Sequence, residues 1–318
     1  MNKINELLRG YQKIVIAGHV NPDGDAVGAC FALAFCLKQA GKEPVVLLEN
    51  YPARFDSLGG GVFVYSGDYA ALDSLETAAF VAVDTSSKER LGRAEAVFDK
   101  AGLTIVIDHH ISNPGYADYN LIDASASSAS EIMFDVVKTI APVSQNVAEY
   151  LFTGIIFDTG GFRNSAATPK TFRKTAELIE TGIRFTEIFR RVMDMHTVQE
   201  AKIFGIALSN LVFDAESGIA YTTLSLEEMR SVDADFSDLD GIVNYLLNLK
   251  GADIAVLVSE RAESIAKASL RSKELDVNKV AGTFGGGGHL RAAGATVSAP
   301  LAEALALVLS AVKKELNP

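Results

Sequence analysis

Three short runs of almost wholly apolar, Val- and Ile-rich residues, at 14–17, 80–83 and 103–107, constrain the fold more than any other feature of the chain. Each has the length of a strand rather than a helix. None alternates with polar residues, so both faces of each strand are expected to be buried. That is the pattern of a parallel sheet covered on both sides. A fourth run, 44–48, begins at Pro44 and reads as another strand. Between and after these runs lie helical stretches at 26–40, closed by Gly41 in the position that favours glycine, and at 130–140 and 147–157. Thr168-Pro169 reads as an N-cap with proline at the first helical position, opening a helix that ends near Gly182. Strand and helix in turn make the first part α/β, a parallel sheet with helices on both faces.

The pattern from 185 to 211 is helical. Beyond it come a strand at 219–224, a helix at 239–249 stopped by Gly251, strands at 254–258 and 265–270, and a helix at 277–282. A glycine-rich stretch follows, then a strand at 295–298 and a last helix at 301–316. This is a smaller, mixed α/β region. A chain of 318 residues, 48% hydrophobic, suits two cores better than one. The expected division is a first domain at 1–190, a helical linker at 191–214 and a second domain at 215–318.

Four segments place Asp or His at the end of a strand or helix. They are His19-Val-Asn-Pro-Asp23-Gly-Asp25-Ala-Val-Gly28, Val81-Ala-Val-Asp84-Thr85, Ile105-Val-Ile-Asp108-His109-His110 and Gly154-Ile-Ile-Phe-Asp158-Thr159-Gly160. In an open parallel sheet, ligands bind beyond the carboxyl ends of the strands. The first three segments follow such ends, so they are expected to converge although distant in sequence. Any one of them alone reads best as a helix cap or turn, since Asp favours both. Asp23 and Asp25 suit that role before the helix at 26. Four together, with three His and five Asp, read as a metal site. Imidazole and carboxylate without thiolate suit Mn2+ or a related divalent ion, and there are ligands enough for two ions sharing one carboxylate.

Composition narrows the partners. Lys and Arg number 29 against 40 Asp and Glu, a net charge of −11. Duplex nucleic acid calls for a basic footprint that this chain lacks. A small phosphorylated substrate needs only local cations. No apolar stretch is long enough to span a bilayer, and the first nine residues form no signal-peptide core. Cys30 and Cys36 are the only cysteines and read as two buried thiols in a reducing compartment. The expected location is therefore the cytoplasm, with no membrane partner.

The run Gly285-Gly286-Gly287-Gly288-His289 is the other strong signal. Backbone N–H groups without side chains admit an anion closely, and His289 adds a donor. A flexible loop is the plainer reading of glycines alone, and the run is no dinucleotide fingerprint because no acidic residue follows at the required distance. The glycines at 59, 60 and 61 have no such company and are expected to form a loop.

In order and residue type, the four acidic segments resemble the four motifs of the DHH phosphoesterases, and Asp108-His109-His110 resembles the triplet that gives this family its name. The resemblance runs through both halves of the chain. Ala29 after Gly28 departs from the serine common in relatives. The resemblance implies that His19, Asp23 and Asp84 hold one Mn2+ and that Asp25, Asp84, His109 and Asp158 hold a second, with Asp84 bridging. It implies that His110 faces the scissile phosphate and that Asp108 orients the histidines. The glycine run looks like the signature of the DHH-associated domain. That assigns Gly286, Gly287, Gly288, His289 and Arg271 to substrate binding, with Arg163 a further phosphate candidate and the active site in the crevice between the domains.

The implied activity is hydrolysis of short single-stranded oligoribonucleotides to mononucleotides and of 3′-phosphoadenosine 5′-phosphate (pAp) to AMP. A homodimer is compatible with it. A cyclic di-AMP or linear dinucleotide phosphodiesterase would share every one of these residues. A manganese pyrophosphatase fits less well, because that branch lacks the glycine run. A non-catalytic nucleotide-binding regulator fits poorly with an intact ligand set.

Overall fold

The structure, a computed structural model, describes residues 2–51, 55, 58 and 64–316, so the glycines at 59, 60 and 61 lie outside the described residues. The chain divides into two compact units, Met1–Met195 and His196–Pro318.

The first unit is built on one all-parallel sheet. Its strands are β1 (Lys13–Ala17), β2 (Glu43–Leu47), β3 (Ala79–Val83), β4 (Leu103–Asp108) and β5 (Tyr119–Ile122), in spatial order β2-β1-β3-β4-β5. Its helices are α1 (Asn2–Arg9), α2 (Gly24–Gln39), α3 (Glu95–Phe98), α4 (Ala129–Ile140), α5 (Gln145–Asp158), α6 (Pro169–Glu180) and α7 (Phe185–Phe189). Ile14 and Ile16 of β1 join one core with residues of α1, α2, α4 and α5, while Val15 and Ala17 join another beneath α3 and short 3-10 turns. Both faces of the central strands are therefore buried, which explains the unbroken apolar runs. The edge strand β5 is only half-buried and lacks such a run, so nothing in the sequence signals it.

The strand order fixes where a ligand can sit. The chain passes from β1 outward to β2, then returns across β1 to β3. That reversal opens a gap at the carboxyl ends of β1 and β3, the usual ligand position in such sheets. His19 and Asp84 follow those two ends.

Glycines let the helices behind the gap approach closely. A Cβ on Gly28 of α2 would collide with the Tyr150 carbonyl of α5 and lie 3.0 Å from the Gly154 nitrogen. A Cβ on Gly154 would strike the Ser130 hydroxyl and come within 2.7 Å of Asp25 Oδ1. Side-chain caps start the helices, from Asp23 for α2, Ser128 for α4, Ser144 for α5 and Thr168, followed by Pro169, for α6. Cys30 and Cys36 are both buried.

The second unit contains α8 (Val198–Ser209), β6 (Val212–Asp214), β7 (Ile219–Leu224), α9 (Leu226–Ser231), α10 (Ile242–Leu247), β8 (Ile254–Ala262), β9 (Ile265–Ser272), α11 (Val277–Gly282), β10 (Gly287–His289), β11 (Ala292–Val297) and α12 (Leu301–Leu316). Its sheet runs β10-β11-β9-β8-β7-β6, antiparallel except where β7 meets β8. The region expected to be helical from 185 to 211 is interrupted. A π turn at Arg190–Asp194 ends the first helical stretch, and Thr197, boxed with Glu200, caps the next. Among the described residues no helix is long and apolar enough to cross a membrane.

Replacing Gly28 with Ala should cost about 1–3 kcal/mol or more, because the new methyl meets backbone that cannot yield. Gly205 in α8 has nothing within 4 Å of its would-be Cβ, so Gly205→Ala should be neutral or stabilise by up to about 1 kcal/mol. Urea midpoints of the two variants against the parent check both signs.

Candidate metal centre

Asp84 lies at the centre of the site. It follows β3 in a left-handed conformation, φ 54°, that a non-glycine residue adopts only under constraint. Its own N–H donates to the Ile107 carbonyl of β4 at 3.0 Å, which locks the turn. The carboxylate is 3% exposed, and its two oxygens have different neighbours. Oδ2 lies 3.7 Å from His19 Nε2, which is itself 4.0 Å from Asp23 Oδ2. Oδ1 lies 3.4 Å from His109 Nε2, which is 3.4 Å from Asp158 Oδ2. The ligand atoms of His19, Asp23 and Asp84 lie within 4.8 Å of one another, as do those of Asp25, His109 and Asp158.

Each remaining member is positioned by its own element. Asp23 caps α2, accepting from the N–H groups of Asp25 and Ala26 through Oδ1. Asp25 is fully buried and accepts from the Ala129 and Ser130 N–H groups that open α4. Asp158 is the last residue of α5. Asp108, fully buried at the end of β4, lies 2.8 Å from His110 Nδ1 through Oδ1 and accepts from Asn113 Nδ2 at 2.6 Å through Oδ2. It therefore orients His110 and not His109, contrary to the expectation that it holds both. Asn113 also donates to the Thr85 carbonyl at 3.1 Å, joining the Asp108 turn to the Asp84 turn. Asn113 belongs to none of the four acidic segments. The signal was the need of a buried Asp108 for a second donor.

A third group, Asp84 with His109 and His110, is equally compact. His110 Nδ1 already faces Asp108, however, so the ring has only Nε2 left for another partner.

The electrostatics of the site follow from burial and from the crowding of its carboxylates. Burial pushes Asp25 well above the usual carboxylate range, and the Asp84 and Asp158 charges add to it. Burial likewise raises Asp158 to about 7 and raises Asp23. Burial opposes charge on His109, but the Asp84 carboxylate beside it and the charges of Asp25 and Asp158 prevail and lift it to about 10. His110 is raised chiefly by its hydrogen bond with Asp108. Asp84 Oδ1 is buried with no hydrogen-bond partner of good geometry. A buried polar oxygen so placed, among imidazole and carboxyl groups, suits a cation. With imidazole and carboxylate donors and no thiol among them, the residues present fit a divalent metal ion.

None of the sequence-derived substrate residues belongs to these metal groups. Arg163 is exposed in the turn after α5. Arg271, Gly286, Gly287, Gly288 and His289 belong to the second unit. There Arg271 of β9 and His289 of β10 both pair with Ala292 of β11, so the three form one row across the sheet and share a face. Arg271 Nε donates to Asn244 Oδ1 at 3.0 Å, an orienting contact the sequence does not reveal.

The glycine run is not an open loop with free donors. Gly285 and Gly286 donate to the carbonyls of Gly282 and Ala281, Gly288 donates to Asn278 Oδ1 at 2.9 Å, and Gly287 opens the edge strand. A Cβ on Gly286 or Gly288 would strike β11, at the Gly294 carbonyl and at Ala293, 2.7 Å away. The glycines serve close strand approach.

Residues 13–155 match the family model described as the DHH family, N-terminal domain, and residues 217–317 match the DHHA1 domain. The chain is 31% identical, over all of its length and 94% of the relative's, to a Thermus thermophilus protein named bifunctional oligoribonuclease and PAP phosphatase NrnA. A Bacillus subtilis protein of the same name is 28% identical over 90% of each chain. The crystal structure of an exopolyphosphatase-related protein from Bacteroides fragilis superposes with a TM-score of 0.91 at 27% identity, covering 98% of this chain and 95% of that one. With its acidic and histidine segments gathered around Asp84 and a DHHA1 domain after them, the chain belongs to the DHH family.

Proposed function

We propose that the chain is a manganese-dependent phosphoesterase that hydrolyses short oligoribonucleotides to mononucleotides and pAp to AMP. In this reading, residues 1–190 form the catalytic domain and 215–318 the substrate-binding domain. The observation that carries it is the Asp84 carboxylate, with His19 and Asp23 on one side and His109 and Asp158 on the other. Full-length relatives named oligoribonuclease and PAP phosphatase support the substrate class.

His19, Asp23 and Asp84 would hold one ion, and Asp25, Asp84, His109 and Asp158 the other. Bound there, the pair supplies a water of lowered pKa and neutralises charge on phosphoryl oxygens. The protein's own groups do the rest. Asp108 fixes the His110 ring through Nδ1 and favours its charged form, so Nε2 is the nitrogen that donates to an oxygen gaining charge in the transition state. Asn113 holds Asp108 and the Asp84 turn in one register. The row of Arg271 and His289 suits the remote phosphate or sugar of a small substrate, with Ala292 between them too small to obstruct it. With 29 basic against 40 acidic residues, the chain offers a long strand little to follow, so substrates of about two to five nucleotides are favoured.

A ladder of single-stranded RNA from two to about twenty-four nucleotides, run with pAp and cyclic di-AMP at fixed Mn2+ and salt, tests this reading. Mononucleotide release should be fastest from the shortest strands, with AMP formed from pAp. A kcat/KM that rises with length would point to a processive exonuclease, and cleavage of cyclic di-AMP alone to a cyclic dinucleotide phosphodiesterase. Asp84→Asn should lower every rate by more than about 100-fold, the loss of several kcal/mol of charge stabilisation, with the fold retained.

Metal affinity should depend on pH with a definite sign. Asp158, raised to about 7, and His109, raised to about 10, must both lose protons to act as ligands. Mn2+ binding should therefore strengthen as pH rises from 6 to 9 and release protons, both measurable by calorimetry in two buffers. An affinity flat across that range contradicts the ligand assignment.

A further inference from the structure

We infer that Glu131, in the first turn of α4, is a positioning residue for Asp25 and through it for the second ion. The inference rests on the reading of Asp25 as a metal ligand. Asp25 is fully buried, with Oδ2 accepting from Ala129 N–H at 2.6 Å and Oδ1 from Ser130 N–H at 2.9 Å. These are two of the orphan donors of the first turn of α4. They fix the direction of both oxygens, so whatever holds that turn holds Asp25.

Glu131 holds it. The side chain is fully buried, and Oε2 accepts from Ser127 N–H at 3.1 Å, Ser127 Oγ at 2.8 Å and Thr171 Oγ1 of α6 at 2.7 Å. Its own N–H donates to the Ser128 hydroxyl that caps α4, at 3.0 Å. In an ordinary capping box the acidic side chain returns to the cap residue's N–H. Here it reaches one residue further back and ties down the chain entering the helix. Lys174 Nζ, 8% exposed, lies 3.6 Å from Glu131 Oε1 and donates to the Glu131 carbonyl and to Asp135 Oδ2, each at 2.8 Å. A buried, charged clamp from α6 thus secures a turn whose other end points at the site. No step proposed for the reaction requires a buried ion pair at this position, and such pairs are weak sources of stability in themselves.

Glu131→Gln keeps the shape but removes the charge, and Ser127→Ala removes one donor at the other end of the clamp. Mn2+ binding to the full chain, followed by the electron paramagnetic resonance of free and bound ion, should show one site weakened by about tenfold in each variant, the usual size of a lost supporting contact to a ligand. Asp135→Asn, which takes the other carboxylate from Lys174, should lower the melting temperature but keep Mn2+ affinity within about twofold of the parent. Parental affinity in Glu131→Gln and Ser127→Ala, or an equal loss in Asp135→Asn, overturns the inference. If Glu131→Gln does not fold, Ser127→Ala decides alone. If the parent binds no Mn2+, the metal reading falls with it; if the parent binds and the variants match it, the clamp alone falls.

Discussion

Crowding of like charge at one end of a parallel sheet governs the first unit. Asp23, Asp25, Asp84 and Asp158 converge where the strand order reverses, and three of the four are raised, with burial the largest cause. Such a group is costly without a cation, and the surrounding structure holds each carboxylate in place. The strained Asp84 turn is tied to β4, Asp25 to the start of α4, and Asp23 to the start of α2. Gly28 and Gly154 belong to the same arrangement, because only glycine lets α2 and α5 approach closely enough to bring Asp25 and Asp158 together.

Much of this was legible in the residues. The unbroken apolar runs at β1, β3 and β4 are the direct imprint of burial on both faces, and they place His19, Asp84 and Asp108 at strand ends. Asp23 is both the cap that local propensity suggests and a member of the metal group, so the plain and the functional readings coexist in one side chain. Asp25 shows the limit of sequence logic. Its segment taken alone suits a cap for its own helix and the four segments together make it a metal ligand, but neither reading reveals that its hydrogen-bond partners lie more than a hundred residues away on α4. Asn113, Asn244 and Glu131 escaped notice for the same reason. Each has a partner in another segment, Thr85 for Asn113, Arg271 for Asn244 and Thr171 for Glu131, that local spacing does not disclose.

The glycine run teaches the opposite lesson. Its composition suggested an open loop with free N–H donors, but those donors are mostly taken by α11 and by the hairpin of β10 with β11. What the glycines permit is close packing, an edge strand near enough to align His289 with Arg271 across a single alanine. Backbone glycines are ambiguous in a sequence because flexibility and close packing require the same absent side chain.

The central claim is that Asp84 joins two metal positions. Crystals grown with Mn2+ and measured at wavelengths on either side of the manganese absorption edge test it most directly. The account predicts two anomalous peaks about 3.5–4 Å apart, one beside His19 and Asp23 and one beside Asp25, His109 and Asp158, with one oxygen of Asp84 directed to each. A single peak, or two peaks that Asp84 does not join, would contradict it.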